Sequence, residues 1–196
     1  MILLYTLTGH SNRDAQERFQ HSGSSISRYI HEAVAAVGKL QEIYMKLPSV
    51  TTIASQIVNN PKYFPYFKDC LGALDGTHIH ATVPAAEQAP FRNRKGNLSQ
   101  NVLAVCNFDM QFTYCLCGWE GSAHDGRVLA DAFTKGFTVP TGKYYLGDAG
   151  YGLSDKVLTP YRGTRYHLCE WKQGRKRPQN AKELFSLRHA QLRNVI

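Results

Sequence analysis

Apolar positions recur at two different spacings along the chain, and the change between them separates a helical front from a strand-rich remainder. Ser11 followed by Asp14 has the form of a capping box, which predicts a short helix to Phe19 that ends in the polar stretch Gln20 to Ser24. From Ser25 onward Ile26, Ile30, Val34, Val37 and Tyr44 recur at helical spacing, with Ser27, Arg28, His31 and Lys39 on other faces, so a second helix is expected. Helix, short turn, helix is the outline of a helix-turn-helix, and a DNA reader of that kind would present Ser25, Ser27, Arg28 and His31 to base edges. Plain packing of two amphipathic helices gives the same pattern. The apolar run Met1 to Leu7 stops at Thr8 and Gly9, too short for a membrane span or a secretory leader, and reads as the continuation of a helix.

Between Lys46 and Phe67, Pro48, Pro61, Pro65 and the pair Asn59-Asn60 mark a connector with at most a short helix. Strand patterns follow. Cys70 to Val83 is apolar and alternating, Asn101 to Cys106 and Phe112 to Trp119 flank the turn residues Asn107 to Met110, and Lys143 to Gly147 is a short aromatic strand. A helix is predicted over 125–133, with Val128, Leu129, Ala132 and Phe133 on one side. A last helix starts at Asn180, with Glu183 three residues on, and Leu184, Leu187, Leu192 and Val195 are expected to be its buried side. No Gly or Asn cap is read before Ile196, so the pattern looks cut off inside an element. The organisation expected is a helical segment 1–45, a connector 46–69 and an α/β domain 70–196.

A chain of 196 residues with 43% hydrophobic and 19% charged residues is long enough to bury one good-sized core and too short for a multi-domain enzyme. Lys and Arg number 23 against 15 Asp and Glu, a net charge of +8, which suggests a polyanionic partner with nucleic acid as the first candidate, although many basic proteins bind none. Five cysteines without a CxxC speak against a disulfide framework.

Two carboxylates stand out. Asp75 lies inside the apolar strand Leu74-Asp75-Gly76-Thr77, where an ionised group is costly to desolvate unless it is paired, hydrogen-bonded or bound to metal. Asp148 closes another apolar strand, between Gly147 and Ala149-Gly150. Oxygen ligands at the ends of neighbouring strands suit Mg²⁺ or Mn²⁺ and metal-assisted phosphoryl transfer, although aspartates beside Gly-rich turns are often structural.

Several runs, taken in order, resemble the PIF/Harbinger-type DDE transposases and the nucleases derived from them. They are Leu71-Gly72-Ala73-Leu74-Asp75-Gly76-Thr77-His78-Ile79, Phe91-Arg92-Asn93-Arg94-Lys95-Gly96, Gly118-Trp119-Glu120-Gly121-Ser122-Ala123-His124-Asp125 and Leu146-Gly147-Asp148-Ala149-Gly150-Tyr151. Pro178 to Phe185 and Leu192-Arg193-Asn194-Val195-Ile196 continue the likeness, which runs from about Asn12 to the last residue. The resemblance implies an RNase H-like fold, a mixed five-stranded sheet with flanking helices, preceded by a small helix-turn-helix segment. It implies a DNA endonuclease or transposase that hydrolyses phosphodiesters with Mg²⁺ or Mn²⁺ and can transfer DNA strands. Asp75 and Asp148 would be catalytic, and Asp75, Asp125 and Asp148 would be metal ligands. The family's third acid is a Glu directly after the run that ends here at Ile196, so this fragment is expected to be inactive by itself. The alternative is a non-catalytic DNA-binding protein derived from a degenerate or domesticated transposase. Arg28, Arg92, Arg94, Lys95, Lys172, Arg175, Lys176 and Arg177 are the expected DNA contacts. The resemblance further implies action in the nucleus, with the cytoplasm also open, a Myb-like accessory protein, a homo-oligomer as one arrangement, and no membrane.

Other residues allow weaker readings. His78 with His80, and Cys115 with Cys117, share strand faces and could be imagined as a zinc site, but such pairs are usually packing or surface. The basic run beside Trp171 suits single-stranded DNA or plain solvation equally, and Tyr144, Tyr145 and Tyr151 read as core and rim aromatics.

Overall fold

The computed structural model describes residues 1–174 and 177–196, the stretch 172–174 by its backbone alone. Its contacts gather into two units, Met1–Lys46 and Leu47–Ile196.

The first unit contains α1 (Ile2–Leu7), α2 (Asn12–Phe19), α3 (Gly23–Lys39) and α4 (Gln41–Tyr44). Both bonds of the capping box form: the Asp14 amide donates to Ser11 Oγ at 3.2 Å, and the Ser11 amide donates to Asp14 Oδ2 at 2.9 Å. α2 stops where Gln20 turns left-handed. α3 starts two residues before the predicted Ser25, because Ser22 accepts from the Ser25 amide and caps it. Ala15 and Ile26 form the sealed centre of this unit. Beyond Ala33 every residue of α3 is exposed, including Val34 and Val37 of the predicted apolar stripe. The helical period there survives without a burying partner inside the unit.

The second unit runs α5 (Ser55–Val58), β1 (Cys70–His80), α6 (Gln88–Phe91), β2 (Ser99–Cys106), β3 (Phe112–Glu120), α7 (Asp125–Thr134), β4 (Tyr144–Leu146), β5 (Val157–Leu158), α8 (Leu168–Gly174) and α9 (Ala181–Arg193). The sheet order is β3-β2-β1-β4-β5, antiparallel between β3, β2 and β1 and parallel from β1 to β4 to β5. Asn107 builds the β2–β3 turn by accepting the amides of Asp109 and Gln111 on its side chain. The segment holding α7 provides the crossover that a parallel β4 requires. This is the five-stranded mixed sheet with flanking helices of the RNase H-like fold.

Alternate residues of β1 feed two separate cores. Leu74 packs with Leu103, Val105, Val128, Leu129, Phe137 and Tyr145 on the side of α7. Ala73 packs with Cys106, Leu146 and Leu192 on the side of α9, where Ile57 and Phe67 join them. The 47–69 stretch therefore contributes buried side chains to this unit.

α9 buries a different side from the one its leucines suggest. Leu184 is 39% exposed, while Ser186, His189, Ala190 and Leu192 are buried. His189 tolerates that position because its Nε2 donates to the Leu158 carbonyl at 2.9 Å. The helix closes at Arg193 with Asn194 as its C-cap, contrary to the capless end read from the pattern, and Val195 and Ile196 pack on the α9-side core. β5 and α8 had no counterpart in the sequence pattern. Among the described residues no helix is long and apolar enough to cross a membrane.

Candidate active site

The parallel pairing of β1 with β4 ends at Ala73 and Leu146, whereas its antiparallel pairing with β2 continues to His80. From Asp75 onward one edge of β1 therefore has no partner strand. Two residues past Ala73 comes Asp75, and two past Leu146 comes Asp148. Because faces alternate with a period of two, both lie on the face of Ala73 and Leu146, the side of α9. Their proximity is visible in the electrostatics, since the Asp148 charge bears directly on Asp75.

Arg193 closes this corner. Its Nη2 sits 2.8 Å from Asp75 Oδ1, with the Arg193 side chain 15% exposed and that of Asp75 40% exposed. Asp75 Oδ1 also accepts from the Gly76 amide at 2.9 Å. Asp148 is fixed by its own turn, accepting from the Gly150 amide at 2.9 Å. Burial raises the Asp75 carboxyl above the usual carboxylate range; Arg193 opposes this without cancelling it, and Asp148 adds to the rise. The effect on Arg193 has the opposite meaning. Burial works against its charge, but Asp75, Tyr166 and Asp148 outweigh burial and hold the guanidinium more firmly protonated. Burial thus pulls Asp75 toward neutrality, while the acidic neighbours hold Arg193 charged. The short bond favours the charged form of both, and burial first, with Asp148 after it, accounts for the rise that Asp75 keeps.

Asp125 approaches β1 from its other side. A side chain built at Gly76 would come within 2.5 Å of Asp125 Oδ1, so Asp125 rests on the Gly76 side of β1, the face opposite Asp75. There it begins α7 and its Oδ1 accepts from Asn101 Nδ2 at 2.8 Å. Asn101 is 1% exposed, also donates to the Ala123 carbonyl, and leaves its own Oδ1 without a partner. Tyr151 packs against the α7-side core. Its buried hydroxyl has no hydrogen-bond partner, and its pKa is raised by burial first and then by Asp125, Asp75 and Asp148 together.

Among the described residues no three or more His, Cys, Asp or Glu side chains gather closely enough to hold a metal ion. Among the described residues the imagined zinc site is not formed: Cys115 and Cys117 lie 3.6 Å apart sulfur to sulfur, and His78 is bonded to Ser99. What the site offers a cation is the carboxylate pair Asp75 and Asp148. One or two carboxylates completed by substrate oxygens and water is how Mg²⁺ is commonly held, so the donor chemistry fits.

The expected DNA contacts belong to different elements. Arg94 and Lys95 are exposed in the turn after α6, while Arg92 donates from Nη1 to the Gly96 carbonyl at 2.9 Å and braces that turn. Arg28 pairs with Glu32 on α3 at 3.8 Å and lies over the Tyr29 ring. Arg177 is exposed. Arg175, Lys176 and the side chain of Lys172 lie outside the described residues.

The stretch 74–196, beginning at the strand that carries Asp75 and including Asp148 and Arg193, matches the family described as DDE superfamily endonuclease. The chain belongs to this family. Among curated proteins it is similar to "Protein ALP1-like" of Arabidopsis thaliana, 34% identical over 113 residues that make up 48% of this chain and 28% of the relative. "Putative nuclease HARBI1" of Mus musculus is 29% identical over 143 residues, and its Rattus norvegicus counterpart 26% over 144 residues; each match covers 71% of this chain and 41% of the relative. The chain thus spans less than half the length of the curated relatives it matches. No solved structure gives a significant match.

Sequence reasoning assigned no role to Arg193 or Asn101 and read Tyr151 only as a core or rim aromatic. Asn101 carried a signal, being an amide at the head of the apolar run Val102-Leu103-Ala104-Val105. Arg193 lies in the run Leu192 to Ile196 that carries the family likeness, but its partner is 118 positions away in the chain and is chosen by how α9 docks.

Proposed function

We propose that the domain beginning at residue 70 is the catalytic unit of a DNA endonuclease in which Asp75 and Asp148 jointly hold Mg²⁺ or Mn²⁺ at a backbone phosphodiester. The observation that supports this is the placement of the two carboxylates on one face of adjoining parallel strands, beside an edge without a partner strand. A bound cation would supply Lewis-acid activation of a water and neutralise the leaving oxygen. Asp75 and Asp148 present hard oxygens, and Arg193 balances their charge and fixes the Asp75 rotamer. Arg94 and Lys95 draw the DNA backbone toward the domain and neutralise it. Asp125 is left out of the pair, because its Oδ1 is engaged by Asn101 on the other face. By similarity to the family, strand transfer after cleavage, a Myb-like accessory protein, self-association and action in the nucleus belong to the same reading.

The test is nicking of supercoiled DNA with Mn²⁺ by a protein that carries, beyond Ile196, the glutamate that the family resemblance implies. Metal-dependent nicking that disappears in Asp75→Asn and in Asp148→Asn is expected; nicking that persists in both variants overturns the reading. A second reading, DNA binding without cleavage, is favoured by the ion pair itself, since Arg193 already occupies Asp75. Salt-dependent binding with no nicking in either metal selects it.

A further inference from the structure

We infer that a polar cavity on the α7 side of the sheet seats one unpaired nucleotide of the DNA strand, next to the Asp75 and Asp148 pair but separate from it. The inference rests on DNA being the substrate and does not require that the protein cut it. The cavity has a volume of about 370 Å³ and is lined by His78 and His80 of β1, Arg94, Lys95 and Asn97 of the turn after α6, and His124, which caps α7.

Size and chemistry limit the occupant. The volume lies at the lower end of cavities that hold small molecules, enough for one nucleotide and too little for a stacked base pair. The lining holds no large apolar side chain, which rules out a lipid or an apolar peptide anchor. Arg94 and Lys95 are basic side chains suited to a phosphate, while imidazoles and the Asn97 amide can both donate and accept, as the edge of a base requires. One carboxylate, Asp125, borders the cavity, and the Asn101 amide already holds its Oδ1.

The turn is preformed. Asn93 Oδ1 accepts the amides of Lys95 and Asn97, each at 3.0 Å, and Asn93 Nδ2 donates to Ser99 Oγ at 3.1 Å. Gly96 supplies the positive φ of +82° that lets the chain reverse, and Arg92 clamps its carbonyl. Little ordering is left to be done on binding. Position supplies the link to the carboxylates. His78 and His80 stand three and five residues beyond Asp75, roughly 10 and 17 Å along the strand. Over that length β1 has an open edge, so a nucleotide strand lying at Asp75 can pass around it to the opposite face.

The experiment is fluorescence anisotropy with the 196-residue protein in EDTA, using three labelled oligonucleotides: a single strand, a fully paired duplex, and that duplex with one unpaired nucleotide. The single strand and the interrupted duplex are expected to bind about tenfold tighter than the paired duplex. That preference is expected to vanish in the double variant His80→Ala, Asn97→Ala, both exposed positions, and to survive in Asp75→Asn. Equal affinity for all three probes, absence of binding to any, or a variant that weakens all three alike overturns the inference. Because no metal is present, a retained preference in a protein that fails to nick DNA removes the nuclease reading alone.

Discussion

Arg193 Nη2 and Asp75 Oδ1 stand 2.8 Å apart, tying the last turn of α9 to the middle of β1. The contact answers the question raised by an acid inside an apolar strand. Asp75 is tolerated because a guanidinium that is itself mostly buried neutralises it, and because the neighbouring Gly76 amide donates to it. Arg193 also faces the field of Asp148, so one cation serves two carboxylates.

Replacing Arg193 by Gln should therefore destabilise the protein by about 1–2 kcal/mol. This is less than the loss of a fully buried partner, because Asp75 keeps partial contact with water. Adding Asp75→Asn should recover part of the loss. A double-mutant cycle by urea denaturation checks this; strictly additive effects would show that the pair has no energetic coupling.

Gly76 is small because Asp125 rests on it. Gly76→Ala places a methyl within 2.5 Å of Asp125 Oδ1 and must move that carboxylate off Asn101. The expected cost is about 1–3 kcal/mol. Thermal denaturation measures it, and a melting point equal to the unmutated protein's would show that α7 yields freely.

How much of this was legible follows from the range of each signal. Asp75 and Asp148 stood out locally, as acids within or at the end of apolar strands, and their shared face needed only the period of two once the strands were known to pair. Asp125 was grouped with them by its motif, yet alternation along Leu74, Asp75 and Gly76 sends it to the other face once α7 is known to cover Leu74. Val157–Leu158 is too short to give a period and becomes a strand only through β4. The buried side of α9 was misread because His189, a polar residue, occupies its centre.

His189 gives the protein a pH dependence with a defined sign. Burial is the main cause that lowers its pKa from 6.5 to about 4, and the folded protein keeps it neutral with Nε2–H bonded to the Leu158 carbonyl. The unfolded chain binds a proton near pH 6.5 that the folded protein refuses until about pH 4. The stability from His189 is therefore complete above pH 6.5 and falls as the pH drops to about 4, by at most about 3 kcal/mol. Unfolding free energies across this window should show a slope that is reduced in His189→Gln. An unchanged slope would mean that other groups account for it.

The most direct test of the central claim is calorimetric titration of Mn²⁺ into the unmutated protein, Asp75→Asn, Asp148→Asn and the double variant, without DNA. If the two carboxylates act as one site, either single substitution removes most of the binding and the double variant loses little more. Mn²⁺ affinity that is the same in all four proteins would contradict the account.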